Sequence, residues 1–469
     1  MAAAASGLGV KAAPFTYAAH ALAAAAAVMV LVWCVHFRGG LALEAENKNL
    51  IFNVHPVLML IGYIILGSEA IMIYKIFPNW NHDTAKLTHL ILHAIATVLG
   101  AFGIYCAFKF HNDSGIANLY SLHSWLGIGT ISLYGIQWVF GFVTFFFPGA
   151  APSVRRGVLP WHALFGLFVY ILALATAELG FLEKLTFLQS GGLDKYGAEA
   201  FLVNFTALVV VLFGAAVVVA AVAPAHVDDC EEPQAGLGVR ATPFTYAAHA
   251  LAAAAAVMVL VWCIHFRGGL ALEAENKNLI FNVHPVLMLI GYIILGSEAI
   301  MIYKVFPDWD HDTAKLTHLI LHGIATVLGA FGIYCAFKFH NESAIANMYS
   351  LHSWLGIGTI CLYGVQWVFG FVTFFFPGAA PNVRRSVLPW HALFGLFVYV
   401  LTLATAELGF LEKLTFLQSG GLDKYGAEAF LVNCTALVVV LFGAAVVVAA
   451  IAPADVEEDR KGYDPLRED

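Results

Sequence analysis

Four histidines recur at one spacing in each half of the chain, and these eight side chains carry its clearest chemistry. His55, His89, His123 and His162 stand 34, 34 and 39 residues apart, and His284, His318, His352 and His391 repeat those intervals. Neutral imidazole binds iron well, and two of them can fill both axial positions of a b-type haem, which then exchanges single electrons without an open site for oxygen. Each of the four lies at the start of an apolar stretch, within about one helical turn. If successive stretches cross a membrane in alternating directions, His55 and His123 share one end while His89 and His162 share the other. The pattern therefore predicts two depth-matched pairs per half, the second copy pairing His284 with His352 and His318 with His391.

The elements that must hold these pairs are membrane helices. Of 469 residues, 61% are hydrophobic and only 12% charged, against roughly a quarter charged in soluble domains. Six apolar stretches per half, near Tyr17–Phe37, Asn53–Tyr74, Leu87–Phe108, Leu122–Phe146, Leu159–Phe181 and Ala200–Val222, approach the ~20 residues that a spanning helix needs. Residues 7–224 return as 236–453 at a constant offset of 229. The fold class expected is all-α, a polytopic membrane protein of two six-helix bundles, twelve spans in total. The Ala-rich N-terminus reads as a first span and not as a cleaved signal, because the same tract recurs inside the chain near Ala252–Phe266.

An even number of crossings returns the chain to its starting side, so a short linker can join the halves as a parallel repeat. The expected organisation is a first domain over 1–224, an acidic linker over 225–242, a second domain over 243–453 and a charged tail over 454–469. The net charge of −8 gathers in the linker run Asp228–Glu232 and in the tail, and the scarcity of basic clusters argues against nucleic-acid binding. Seven cysteines without a CxxC support neither a disulfide framework nor covalent c-type haem. In the first copy, Lys11, Lys75, Lys86, Arg155 and Arg156 face Arg38, Lys48, Lys109, Lys184 and Lys195 across the bilayer. The positive-inside rule therefore gives no orientation.

Around the histidines lie further candidates. His93 sits one turn below His89 and is read as a supporting residue, since His89 better matches the depth of His162. His20 and His36 lack a depth-matched partner, and His82 falls in a loop. Glu69 and Glu178, with Glu298 and Glu407, lie in apolar stretches where a bare carboxylate is costly; they are expected either to be hydrogen-bonded or to line a wet cavity. Gly100, Gly103, Gly127 and Gly129 would let helices or a flat macrocycle approach closely. Near the His89/His162 end, Tyr74, Lys75, Lys86, Arg155 and Arg156 form a cationic rim suited to an anionic reductant. At the other end, Lys109, Phe110, His111 and Asn112 precede Ser121-Leu122-His123-Ser124-Trp125, and His111 could bind a ligand or handle a proton.

With these residues in view, each half closely resembles the cytochrome b561 family, in particular the plant transmembrane ascorbate ferrireductases, across about 215 residues. The resemblance is carried by Pro14-Phe15-Thr16-Tyr17, His36-Phe37-Arg38-Gly39-Gly40, Asn53-Val54-His55-Pro56-Val57-Leu58-Met59, the stretch from Ala70 to Pro78, Ser121-Leu122-His123-Ser124-Trp125, and the interval set itself. It implies two b haems per half and four in total, His55 with His123 holding the non-cytosolic haem and His89 with His162 the cytosolic one. It also implies electron flow from cytosolic ascorbate to monodehydroascorbate or a ferric chelate on the far side. By similarity, ascorbate would meet Lys86, Arg155 and Arg156, and the far substrate Phe110 and His111; the second set is Lys315, Arg384, Arg385, Phe339 and His340. Both termini would be cytosolic, and the setting the vacuolar or another endomembrane.

The family pattern is a single six-helix unit that pairs as a homodimer, so the duplication implies either an internal pseudo-dimer or two adjacent genes read as one chain, with homo-oligomers open to both. A proton-coupled transporter without haem is the competing class, and a purely structural membrane protein would leave the paired histidines unexplained. The visible spectrum of the purified protein separates all three.

Overall fold

A computed structural model describes residues 11–223 and 239–453. The acidic run 228–232 and the tail 454–469 lie outside the described residues. Two compact units divide the chain between 237 and 238, and each contains the same six long apolar helices. In the first unit these are α1 (Ala13–Phe37), α2 (Asn49–Ile76), α3 (His82–Asp113), α4 (Leu122–Phe146), α5 (Pro152–Ser190) and α6 (Ala198–Val222). In the second they are α7 (Thr242–Phe266), α8 (Asn278–Val305), α9 (His311–Glu342), α10 (Leu351–Phe375), α11 (Pro381–Ser419) and α12 (Ala427–Ile451). All 12 are long and apolar enough to cross a membrane, and the chain is a multi-pass membrane protein.

Within the first unit α2 packs on α3, α3 on α4, α4 on α5, and the middle of α2 on α5, closing a four-helix bundle. The remaining pair, α1 and α6, packs together beside it. Lipid tails are as apolar as leucine, so such helices associate through close packing and not through expulsion of water. The alanine run of α1 serves this: Ala19, Ala23, Ala26 and Val30 are buried on one face at helical spacing. Phe213 and Val217 of α6 join Tyr63, Ile64 and Met72 of α2 in the same core.

Helix α2 changes its winding beside the site. Pro56 lies inside the helix and lacks the amide hydrogen that an α-helix needs. Directly after it, Leu58–Ile65 adopts the wider π-helical winding, a feature that often marks functional sites. The turn leaving α1 uses Gly39 and Gly40, at φ of 84° and 117°, a left-handed conformation open to glycine at little cost. Asn53, buried in α2, clamps that turn by donating from Nδ2 to the carbonyls of Arg38 (3.1 Å) and Gly40 (2.8 Å). Two sequence motifs, the arginine with its glycine pair and the asparagine preceding His55, are thus one structural device.

The helices begin earlier than the apolar stretches do. His55 is the seventh residue of α2, His89 the eighth of α3 and His162 the eleventh of α5; only His123, second in α4, lies in a first turn. The expectation of one turn from each helix start is corrected accordingly. Hydropathy marks the lipid boundary, whereas a helix starts where its first amides find a cap. For α3 that cap is Asn81, whose side chain accepts from the amide of Asp83 at 2.9 Å. At 39 residues α5 is about 58 Å long, against roughly 30 Å of hydrocarbon, so both its ends reach beyond the lipid core.

Candidate electron-transfer centres

Two histidine pairs form, one towards each end of the four-helix bundle. The rings of His55 and His123 have centroids 6.1 Å apart, at 86° to one another. Those of His89 and His162 are 6.3 Å apart, at 63°. The second unit repeats both, with 6.1 Å between His284 and His352 and 6.3 Å between His318 and His391. Two metal–nitrogen bonds of about 2.0–2.1 Å each, set between facing imidazoles, put the ring centres roughly 6 Å apart. Each pair is therefore spaced to clasp one metal ion, and it offers the neutral nitrogen donors that haem iron accepts.

The outer nitrogens of the rings are engaged by a reciprocal set of bonds. His55 Nδ1 donates to the Gly103 carbonyl of α3 (2.9 Å), and His89 Nδ1 of α3 donates back to the Ala70 carbonyl of α2 (2.9 Å). Likewise His123 Nδ1 of α4 donates to the Thr176 carbonyl of α5 (3.0 Å). The fourth contact differs in kind: the Gln137 amide of α4 donates to the His162 carbonyl (2.8 Å) and lies 2.9 Å from His162 Nδ1. Each helix thus carries a histidine near one end and a partner for another helix's histidine near the other. On α3, α4 and α5 the two are 14 residues apart, as from His89 to Gly103, or about 21 Å of helix. Nε2 of all four rings has no hydrogen-bond partner among the described residues and is the nitrogen left for a metal. Ligating histidines are commonly oriented this way, by a bond from the second ring nitrogen.

Glycines make room for two of the rings. A Cβ on Gly180 would lie 2.8 Å from His123 Cε1, and one on Gly141 would lie 3.0 Å from His162 Cε1. Neither glycine is evident from sequence, because nothing local distinguishes them from their neighbours. Of the glycines expected to permit close approach, Gly100 abuts Tyr63 and Ile131, Gly103 abuts Met59 and Leu58, and Gly127 lies near Thr176. Gly129 is exposed and meets no other helix, with no protein heavy atom within 4 Å of where its Cβ would stand.

His93 lies beside His89, their rings 4.4 Å apart at 80°, and its Nδ1 is hydrogen-bonded to the Tyr134 hydroxyl. The ring is thus held on its own partner. His20, which lacks a partner in sequence, has one in the fold: its Nε2 lies 3.0 Å from Glu69 Oε2, and His249 meets Glu298 in the same way at 3.1 Å. Glu178 and Glu407 are 2% exposed, and the carboxylate oxygens of both have no hydrogen-bond partner among the described residues.

At the His89/His162 end, the Tyr74 ring lies tilted beside His89 (5.9 Å) and the Phe145 ring edge-on to His162 (5.1 Å). Lys86, one turn before His89, has its ammonium 5.6 Å from the Phe146 ring and 3.9 Å from Asp83. Arg155 stands seven residues before His162 on α5, two turns along the same face; Arg156 next to it is exposed. Lys86, Arg155 and Arg156 thus precede the His89/His162 pair by one to two helical turns. In the second unit Lys315 pairs with Asp312 at 3.3 Å, and Arg384 and Arg385 precede His391 by the same steps.

At the other end, Phe110 is buried and its ring lies 5.1 Å from Phe52, which in turn lies 6.0 Å from His55. His111 follows, 5.8 Å from Phe110. Phe339 and His340 repeat the arrangement beside Phe281 and His284, with His340 Nδ1 3.1 Å from Asn347 Oδ1. Sequence reading missed Phe52, whose role depends wholly on what packs over it.

The profile of eukaryotic cytochrome b561 matches residues 54–188 and again 283–417, which takes in every paired histidine described above. Over 227 residues the chain is 87% identical to the probable ascorbate-specific transmembrane electron transporter 2 of Oryza sativa subsp. japonica, covering 48% of this chain and 96% of the relative. It is 80% identical over 233 residues to ascorbate-specific transmembrane electron transporter 1 of Zea mays, covering 50% and 98%. It is also 68% identical over 206 residues to transmembrane ascorbate ferrireductase 1 of Arabidopsis thaliana, covering 44% and 86%. One six-helix unit of this chain thus corresponds to nearly the whole of each relative.

Proposed function

The chain belongs to the eukaryotic cytochrome b561 family, twice over, and from that premise we propose that each half passes electrons from cytosolic ascorbate to an acceptor across the membrane. The observation that carries this reading is the pair of imidazole clasps, at 6.1 and 6.3 Å, towards opposite ends of each bundle. His55 with His123 and His89 with His162 would hold one b haem each, and their four counterparts two more. When bound, bis-histidine haem supplies a reversible one-electron couple with no position open to oxygen.

The chain's own residues do the rest. Lys86, Arg155 and Arg156 draw the ascorbate anion to the mouth of the His89/His162 end and bind its oxygens through charge-assisted bonds. The histidine-to-partner span of about 21 Å sets two centres within a hydrocarbon layer of roughly 30 Å, so no electron must leap the whole insulator. Bonds from Nδ1 to main-chain carbonyls fix ring orientation and leave Nε2 directed at its partner ring. Phe110 and His111 line the exit, where monodehydroascorbate or a ferric chelate is the acceptor. The setting proposed is the vacuolar or another endomembrane.

A reduced-minus-oxidised visible spectrum of the purified full-length protein, recorded before and after ascorbate, tests this. A b-type band reduced by ascorbate, with four haems per chain, is the expected result. Colourless protein would eliminate the reading in favour of transport without haem.

A further inference from the structure

At the His55/His123 end Arg38 and Lys109 each meet a carboxylate, whereas Lys184 makes no ion pair among the described residues. Arg38 makes a bidentate pair with Glu199, which also accepts from Trp33 Nε1 at 2.9 Å. Lys109 meets Glu44 at 3.0 Å and Asp113 at 3.3 Å. Lys184 of α5 is different. Its ammonium lies 3.9 Å above the centre of the Phe52 ring and 5.5 Å from that of Phe110, and no carboxylate pairs with it among the described residues. The second unit holds Lys413 in the same way, 4.0 Å from Phe281 and 5.5 Å from Phe339. Those rings attract a cation through their faces but leave its charge unneutralised, and the side chain is half-buried. Phe52 is the ring that borders His55, and Phe110 the one that borders His111.

We propose that Lys184 and Lys413 each bind an oxyanion of carboxylate or enolate type beside the His55/His123 and His284/His352 pairs, the phenylalanine faces holding the ammonium in position while its charge stays available. The inference rests on the electron-transfer reading above and adds a residue to it. The anion comes from one of two sources: the acceptor itself, as monodehydroascorbate or a carboxylate-chelated ferric ion, or a propionate of the haem held at that end. A fixed cation with no protein carboxylate in ion-pair contact serves either, since a charge-assisted bond forms with whichever oxyanion arrives.

The test uses the full chain carrying K184M and K413M, with K184R and K413R as the charge-retaining comparison. Haem content is measured first, then the rate at which ferric citrate or cationic hexaammineruthenium(III) reoxidises the ascorbate-reduced protein, and last the midpoint potentials. If the acceptor supplies the anion, the half-saturating ferric citrate concentration rises at least fivefold in the methionine variant, hexaammineruthenium is unaffected, and the arginine variant stays near the parent. If the propionate supplies it, acceptor kinetics hold while one midpoint potential per unit falls, because removal of a cation disfavours the more negative reduced state. Haem loss in the methionine variant alone also supports the proposal; loss in both variants shows that shape and not charge matters, and overturns it. A haem-replete methionine variant with unchanged citrate dependence and potentials overturns it as well. Absence of haem from the parent protein would instead sink the electron-transfer reading.

Discussion

The two ends of each bundle share a pair of neighbouring imidazoles and differ in almost everything around it. At the His55/His123 end both rings donate to main-chain carbonyls, of Gly103 and Thr176, and phenylalanines lie between the rings and Lys184. At the His89/His162 end one ring donates to a carbonyl while the other meets the Gln137 amide, and His93 with Tyr134 forms a second polar layer behind His89. Equal geometry with unequal surroundings is how one scaffold can make two centres of different potential, since potential follows hydrogen bonding and local charge as well as the ligands. The cations differ too: Lys86 stands at an open rim near exposed Asp83, whereas Lys184 is held between rings. On the proposed reading, one end gathers an anion from solution and the other holds one close.

The strongest way to break this comparison is to remove one clasp. Replacing His55 and His284 with alanine should remove about half of the haem and leave the ascorbate-reducible band of the other end, read by pyridine haemochrome assay. Retention of all the haem would refute the ligand assignment, and loss of all of it would show that the ends do not form independently. A milder perturbation tests the fit of the rings. Gly180→Ala with Gly409→Ala places a methyl 2.8 Å from the His123 and His352 rings, and an interior packed without slack resists such an insertion by about 1–3 kcal/mol. Partial haem loss confined to the His55/His123 end is expected, larger than for Gly141→Ala with Gly370→Ala, where the approach is 3.0 Å.

Charge at the His89/His162 rim comes next in size. Lys86→Gln and Arg155→Gln, made together with Lys315→Gln and Arg384→Gln, should slow ascorbate reduction roughly tenfold, about 1.4 kcal/mol of lost binding, with haem content intact. An unchanged dependence on ascorbate concentration would mean that these side chains only snorkel at the lipid boundary. The smallest effect is expected at the polar layer. Tyr134→Phe with Tyr363→Phe removes one hydrogen bond to His93 and to His322 and should cost about 1 kcal/mol of stability per unit, seen as a lower thermal midpoint with full haem occupancy. Loss of a haem on this change would instead make His93 the ligand.

Much of this was readable along the chain. Long apolar runs have one stable form in lipid, because every backbone amide must be satisfied within its own segment, so hydropathy alone predicts the helices. Histidine spacing then assigns His55 and His123 to one end and His89 and His162 to the other, as alternating helices require. The near-identical duplication predicts that the arrangement occurs twice. Boundaries were less readable: the polar first turns of α2, α3 and α5 continue the helices outside the apolar stretches, which moved three histidines further along than hydropathy suggests.

What the chain by itself determined, then, is which side chains exist at which depth, since depth follows from residue count at 1.5 Å per residue. What only the tertiary structure decided is which of them meet. A helix carries its histidine and its neighbour's hydrogen-bond partner about four turns apart, but whether Gly103, Thr176 or Gln137 meets a given ring depends on helix rotation, set by side-chain packing and by the π-helical winding of α2. The same holds for His20 and Glu69, for the glycines that make space for His123 and His162, and for the ammonium of Lys184 above Phe52. Contacts such as His20 to Glu69, 49 positions apart in sequence, leave no local signature, because the forces that create them act only once the helices have packed.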